Sequence, residues 1–112
     1  MAGKFELKTA KNGKFYFNLK ASNGQIILSS EMYESRQAAE NGIASVKKNA
    51  DDPKRYDRKE SNKGEHYFNL KAGNGEPIGK SEMYTTAASM EGGIESVTKN
   101  APDAATVDAS SA

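Results

Sequence analysis

Apolar and polar residues alternate along the first part of the chain with the two-residue period that is typical of β-strands. Phe5 and Leu7 alternate with charged residues, and the segment 15–21 places phenylalanine, leucine and alanine on one side. A third, aliphatic segment covers 25–30, and turn sequences that contain Asn and Gly separate the three segments. The pattern therefore predicts three consecutive strands that pair as antiparallel hairpins.

After the third strand, the apolar residues follow the spacing of a helix instead. Ala39, Ile43, Val46 and Ala50 recur at the i, i+4, i+7 and i+11 positions of one helical face. Ser35 precedes this segment and suits the N-cap position. The spacing predicts an amphipathic helix with its apolar side against the sheet.

The same pattern occurs twice, because an offset of 51 residues places Gly13 on Gly64 and Ile43 on Ile94 without gaps. We call two residues related by this offset counterparts. A second application of the offset places Tyr56 on Val107, so that 105–108 resembles a further copy of the first strand. The predicted order is three strands and a helix, the same four elements again, and one last strand.

Two halves of about 50 residues would each bury too little surface to be stable alone, so we expect them to share one core. The sequence predicts a single domain over 1–112, with one repeat at 3–53 and a second at 54–109 that includes the terminal strand. The predicted fold class is α+β, with one largely antiparallel sheet and two helices on one face.

Three residues depart from the local pattern. Gly42 and Gly93 lie inside the predicted helices, where glycine costs about 1 kcal/mol relative to alanine. We interpret them as points where helix and sheet approach closely. Pro77 cannot donate to a strand ladder, which predicts that the third strand of the second repeat starts late or lies at an edge.

Three motifs recur in both halves: Asn-Gly, Ser-Glu-Met-Tyr and Gly-Ile-x-Ser-Val-x-x-Asn-Ala. They occupy 23–24, 30–33 and 42–50, and again 74–75, 81–84 and 93–101. In this combination the chain resembles the YegP-like family of small uncharacterised bacterial proteins, in its tandem-repeat form. The resemblance implies units of three strands, a helix and a strand, which form one sheet and exchange their final strands. By analogy with single-unit relatives that would pair as dimers, it also implies a monomer, and it brings no activity or catalytic residue.

Composition excludes several classes of function. The chain has 16 basic and 15 acidic residues, a net charge of +1, so its bulk charge does not support nucleic-acid binding. It has no cysteine, and its single histidine, His66, is the counterpart of Phe15 and is interpreted as a packing or edge residue. We therefore expect no zinc or other metal site, no cofactor and no catalytic residue, and we predict that the protein is not an enzyme.

The sequence favours a cytoplasmic location. Its first residues lack the apolar run of a signal peptide, and the longest aliphatic run, Ile26-Ile27-Leu28, is too short to cross a bilayer. We therefore expect a cytoplasmic protein that does not bind membranes.

The repeated Ser-Glu-Met-Tyr segment is the first candidate site. In one interpretation, Met and Tyr pack across the corner between strand and helix, and Ser or Glu bonds backbone groups near the helix start. In the other, Glu31 with Tyr33 and Glu82 with Tyr84 form a pair of shallow binding sites. The segment comprises Ser30, Glu31, Met32, Tyr33, Ser81, Glu82, Met83 and Tyr84.

The polar face of the second strand in each repeat is the second candidate. It carries Tyr16, Asn18 and Lys20 in one repeat and Tyr67, Asn69 and Lys71 in the other, and these should lie side by side if the two strands are neighbours. Aromatic rings interleaved with lysines can stack on bases and bind phosphates, although a solvated strand face has the same composition. The leading hypothesis is a non-enzymatic binding or interaction module of unknown ligand, and the alternative is single-stranded nucleic-acid binding through this face.

Overall fold

A computed structural model describes residues 3–108, and the predicted periodicities form regular elements throughout this range. The N-cap predicted at Ser35 is present, since Ser35 Oγ accepts from the Ala38 amide at 3.1 Å, and its counterpart Thr86 caps the second helix in the same way, with Oγ1 accepting from the Ser89 amide at 3.1 Å. The elements are β1 Lys4–Thr9, β2 Phe15–Lys20, β3 Ile26–Ser29, α1 Arg36–Asn49, a 3₁₀ turn Pro53–Arg55, β4 Tyr56–Glu60, β5 His66–Lys71, β6 Pro77–Lys80, α2 Ala87–Asn100 and β7 Ala105–Asp108.

The strands form one sheet in the order β4-β5-β6-β3-β2-β1-β7. The two repeats meet at its centre, where β3 pairs with β6 and Ser29 lies opposite its own counterpart, Lys80. Within the described chain every strand pairing is antiparallel except that of β1 with β7, which is parallel. The prediction of an α+β fold with one largely antiparallel sheet is confirmed.

Each helix carries the chain across to the other repeat. The strand after α1 is β4, which pairs with β5 of the second repeat, and the strand after α2 is β7, which pairs with β1 of the first. β4 lies beside β5, and the corresponding position beside β2 is occupied by β1. β7 therefore pairs with the outer side of β1, in parallel. The exchange of final strands that the family resemblance implies is therefore present.

The two repeats share one hydrophobic core between the sheet and the helices. α1 packs against β2 and β6, and α2 packs against β5 and β3, so both helices cover the same face and bridge the central seam. The core combines aromatic and aliphatic side chains of both halves, among them Phe5, Phe17, Leu19, Leu28, Val46, Phe68, Leu70 and Val97. The prediction of a common core is confirmed.

Gly42 and Gly93 fit their interpretation as close-approach positions, since an added Cβ on either would collide with a tyrosine hydroxyl beneath the helix. The prediction from Pro77 is wrong. β6 is an interior strand between β5 and β3, and it starts at the same relative position as its counterpart β3. Pro77 is tolerated because it is the first residue of the strand, where the ladder does not need its missing N–H.

The repeat boundaries at 3–53 and 54–109 stay a prediction, and the last residue of the second lies outside the described range. No helix in that range is long and apolar enough to cross a membrane.

Candidate binding face of the sheet

The side of the sheet opposite the helices carries the polar side chains that alternate with the core residues. We call this side the open face, because neither α1 nor α2 covers it. Strand register aligns six polar residues into a row that crosses both repeats. From one side to the other, the row consists of Glu6, Asn18, Ser29, Lys80, Asn69 and Asp57.

The open face is strongly basic, although the whole chain is close to neutral. Its strand positions carry six lysines and two carboxylates, a surplus of four positive charges, so the rest of the chain has 10 basic and 13 acidic residues. The carboxylates are Glu6 and Asp57, and the lysines are Lys4, Lys8, Lys20, Lys59, Lys71 and Lys80. Charge is therefore segregated to this side, which bulk composition did not indicate.

Glu6 and Asp57, which are counterparts, hold several of these lysines in place. Glu6 Oε1 lies 3.0 Å from Lys20 Nζ and 3.6 Å from Lys8 Nζ, and Asp57 Oδ2 lies 3.2 Å from Lys71 Nζ. The hydrogen bond from Lys20 lowers the pKa of Glu6 against the opposing effect of desolvation. The hydrogen bond from Lys71 lowers the pKa of Asp57 in the same way. Both carboxylates thus stay ionised and fix the ammonium groups around them.

The two predicted triads share the open face, but they are not neighbours. β3 and β6 lie between β2 and β5, so the triads are separated by three strand spacings, or about 14 Å. The condition under which Tyr16, Asn18 and Lys20 would lie beside Tyr67, Asn69 and Lys71 is not met, because the repeats meet through their third strands.

The triad side chains are also unequally accessible. Asn18 is only 7% exposed, so its amide is not available to a large ligand, whereas Asn69 is half-buried. Tyr16 and Tyr67 are half-buried as well, and Lys80 Nζ lies 4.9 Å from the centre of the Tyr67 ring. Lys80 was missed as a site residue because its counterpart is Ser29, so repetition did not mark it.

The serines of the Ser-Glu-Met-Tyr segments have a structural role. Ser30 Oγ accepts from the Phe17 amide at 2.8 Å and donates to the Glu31 carbonyl at 2.7 Å. Ser81 makes the equivalent bonds to Phe68 and Glu82 at 2.9 and 2.8 Å. Each serine hydroxyl therefore bonds backbone groups at the point where the third strand of its repeat ends.

The tyrosines of the segments are structural too. Tyr33 exchanges backbone hydrogen bonds with Phe15, and its ring stacks on Phe17 at 6.1 Å. A Cβ added to Gly42 would lie 2.5 Å from the Tyr33 hydroxyl, so the glycine of the helix motif makes room for the tyrosine. Burial and, to a lesser extent, the charge of Glu31 raise the pKa of Tyr33. The pKa of Tyr84 is raised by burial and by the charge of Glu82.

The other two positions of the segment remain at the surface. Met32 is 54% exposed and Met83 42%, so the methionines do not pack across the corner as expected. Glu31 and Glu82 are exposed as well. The motif thus divides into Ser and Tyr, which hold the fold, and Glu and Met, whose repetition this packing does not explain.

Much of the helix motif is likewise accounted for by structure. Asn49 Nδ2 donates to the Ser45 carbonyl at 2.8 Å, and Asn100 donates to the Ser96 carbonyl at 2.7 Å. These bonds lie in the last turn of each helix and link the Ser and Asn of the motif. Of the two roles expected for His66, the edge position does not apply, because His66 is the first residue of the interior strand β5. It is half-buried and pairs with Glu60 and, through its backbone, with Tyr84. Across 3–108, no group of three or more His, Asp or Glu residues is placed to hold a metal ion.

A cavity of about 330 Å³ opens at the central seam between the repeats. Its lining combines an acid, a base, an amide and two hydroxyls. The lining residues are Ser29, Ser30, Glu31, Asn69, Pro77, Gly79 and Lys80.

Comparison with known proteins gives a consistent result. The family model described as "Domain of unknown function (DUF1508)" matches the chain twice, at residues 10–57 and 61–108, which differ by the same offset of 51. The UPF0339 protein YegP of Yersinia pestis is 55% identical over 98 residues, covering 88% of each chain.

Two solved structures are similar as well. The solution NMR structure of YegP from Escherichia coli, described as a protein of unknown function, has a TM-score of 0.94 at 47% identity, and the match covers 100% of this chain and 97% of that one. That of a UPF0339 protein from Shewanella oneidensis has a TM-score of 0.92 at 41% identity, with coverage of 98% and 93%.

Proposed function

The chain belongs to the DUF1508 family, and we propose that it acts as a non-enzymatic binding module whose recognition surface is the open face. The observation that carries the proposal is the surplus of four positive charges on one uncovered side of a chain whose net charge is +1. Such segregation attracts an anionic partner and orients it as it approaches. The ligand class is therefore an extended polyanion.

Single-stranded nucleic acid is the polyanion that the aromatic residues favour. Tyr16 and Tyr67 stand among the lysines of the open face, on strands β2 and β5, which are three strand spacings apart. Proteins that bind single strands combine a basic surface with rings on which bases stack. With Asn18 buried, binding would depend on charge and stacking and would distinguish sequences poorly.

The pKa shifts support a role without catalysis. Those of Glu6, Asp57 and Glu91 come from ion pairs, and those of Tyr33, Tyr56 and Tyr84 come mainly from burial against the core. Catalytic sites instead gather shifted groups around one pocket.

We further propose that the module works as a monomer in the cytoplasm. The pooling of two repeats into one core supplies within one chain the partner that a single unit would need. The edge strand β4 carries alternating charges at Asp57, Arg58 and Lys59, which disfavours pairing with the edge of another molecule.

The test is a fluorescence titration of a labelled oligo(dT) and its RNA equivalent at low and moderate salt. The variant Lys8→Ala with Lys59→Ala removes one counterpart pair of lysines from the open face. The control Lys48→Ala with Lys99→Ala removes the same charge from the exposed sides of α1 and α2. We expect the first variant to reduce the salt dependence of log K by about two and the control to behave as wild type.

Tyr16→Ala with Tyr67→Ala tests stacking, and it should weaken binding by about 1–3 kcal/mol for each stacked base. If oligonucleotides do not bind and poly-glutamate does, the proposed ligand becomes an acidic protein instead of nucleic acid. Equal losses in the face and helix variants, or no binding to either polyanion, would contradict the role of the open face.

A further inference from the structure

The cavity at the central seam lies where the two repeats differ in sequence. β3 and β6 are in register at Ser29 and Lys80, and the cavity opens along the adjoining part of β6. Pro77 and Gly79 of the second repeat contribute to its lining, where the first repeat has Ile26 and Leu28. The cavity is therefore lined by residues of both repeats.

The charged groups of this cavity differ from the other charges on the sheet. Glu6 and Asp57 are each paired with lysines, whereas Glu31 and Lys80 have no ion-pair partner within residues 3–108. Lys80 is held at the rim by the Tyr67 ring, 4.9 Å from its Nζ. A carboxylate and an ammonium thus line the same space without neutralising each other.

We propose that this cavity binds a small zwitterion of the α-amino-acid type. The ammonium of the ligand pairs with the Glu31 carboxylate, and its carboxylate meets the Lys80 ammonium. The Asn69 side chain, also in the lining, can donate its amide N–H to the same carboxylate. A volume of about 330 Å³ is at the small end of ligand pockets, which suits a single amino acid better than a peptide.

The opposite charges make the site specific for a ligand that carries both. A simple amine would satisfy Glu31 and leave Lys80 without a partner, and a simple carboxylate would do the reverse. A hydrogen bond to a charged group contributes about 1.5–3 kcal/mol, so each half-ligand should bind at least about tenfold more weakly than the zwitterion.

The experiment is saturation-transfer NMR with each common L-amino acid in turn, followed by calorimetric titration of those that bind. For each ligand found, the amine lacking its carboxylate and the acid lacking its amino group serve as comparators. We expect at least one amino acid to bind and both comparators to be about tenfold weaker or undetectable.

The second repeat supplies the matched control. Glu31→Gln should reduce affinity about tenfold, whereas Glu82→Gln, which changes the exposed counterpart outside the cavity lining, should leave it unchanged. Lys80→Ser, which copies Ser29 of the first repeat, should also reduce affinity about tenfold. Both cavity residues are at the surface, so circular dichroism should show folded variants.

Failure to bind any amino acid at millimolar concentration would overturn the proposal. So would equal binding of a half-ligand, or equal losses in Glu31→Gln and Glu82→Gln. Oligonucleotide binding uses the lysines of the wider face, so Lys8→Ala with Lys59→Ala should not alter amino-acid affinity.

Discussion

The two repeats have the same elements in the same order, yet they differ most where they meet. Leu28 and Gly79 are counterparts, and the leucine side chain fills the space that a Cβ on the glycine would need, with Leu28 Cδ2 only 2.7 Å from that position. Close to an axis that relates two repeats, a residue meets its own counterpart. Two large side chains could not both fit there, so one member of the pair is small.

A second difference shows compensation inside each repeat. Tyr56 Oη donates to the Ala50 carbonyl at 2.6 Å and lies 3.1 Å from Thr98 Oγ1. The counterparts of Tyr56 and Thr98 are Phe5 and Lys47, and there the Lys47 ammonium lies 5.7 Å from the Phe5 ring. A hydrogen-bonded pair in one repeat is thus replaced by a cation–π pair in the other. In each repeat, the pair keeps the first strand in contact with the helix.

The largest expected effect comes from forcing the seam to be symmetric. Leu28→Ala leaves a cavity in the core and should cost about 2–5 kcal/mol, and Gly79→Leu should destabilise by overpacking against Leu28. Urea unfolding followed by circular dichroism measures both. The double variant, Leu28→Ala with Gly79→Leu, should cost less than the sum of its two single variants. Strict additivity would mean that the two positions do not share one space.

The next effect concerns the glycines that both repeats have kept. Gly93→Ala and Gly42→Ala should each cost about 1–3 kcal/mol, because the new Cβ displaces a tyrosine that is packed below the helix. Gly92→Ala is the matched control, since a Cβ there meets nothing within 4 Å and should stabilise α2 by up to about 1 kcal/mol. Thermal unfolding of the three variants measures these changes in stability. Equal changes in Gly92→Ala and Gly93→Ala would contradict the close approach of helix and tyrosine at Gly93.

The helices and strands could be predicted because each depends on the pattern of neighbouring residues. The contact between the repeats could not, because it depends on the pairing of strands that are far apart in the sequence. The alternation in 15–20 and the spacing from Ala39 to Ala50 each determine an element and its buried side. No sequence period shows that β3 pairs with β6, so the sequence could not decide whether the two triads are neighbours. The prediction from Pro77 was wrong because the missing N–H excludes proline from the middle of a strand. It does not exclude proline from the first position, even when the strand is an interior one.

The candidate site divides in the same way. Alternation correctly placed Tyr16 and Lys20 on the polar side of the sheet, but it could not show that Asn18 is buried between its register neighbours Glu6 and Ser29. Lys80 has a different residue as its counterpart, so repetition does not mark it. Its place in the cavity depends on the long-range pairing of β3 with β6.

A smaller effect tests the Tyr56 pair. Tyr56→Phe removes the hydroxyl hydrogen bonds and should cost about 1 kcal/mol near neutral pH. Burial raises the pKa of Tyr56 to about 12, so the buried neutral phenol contributes stability that is complete below its ordinary value of 10.0 and is lost as the pH rises toward 12. Urea unfolding below and above pH 10 should therefore show a smaller alkaline loss in the variant. Tyr16→Phe, on the open face, should change neither quantity.

The smallest effect compares the two acidic centres of the open face. The folded pKa values of Glu6 and Asp57 are lowered, so each contributes stability that is present above its ordinary pKa, 4.5 or 3.8, and is lost as the pH falls through the folded value. Lys20→Gln and Lys71→Gln remove the main partner of each carboxylate, and both should shift acid unfolding to higher pH. Each should cost no more than about 1 kcal/mol at neutral pH.

The side chain of Glu6 is 14% exposed and that of Asp57 is 32%, so the loss should be larger for Lys20→Gln, even though Lys4 and Lys8 still remain near Glu6. The free energy of unfolding as a function of pH, measured at low and high salt, tests this order. Added salt should shrink the Lys71→Gln effect more, because the more exposed pair is screened more strongly. A larger loss for Lys71→Gln would mean that the number of nearby lysines outweighs burial in stabilising these carboxylates.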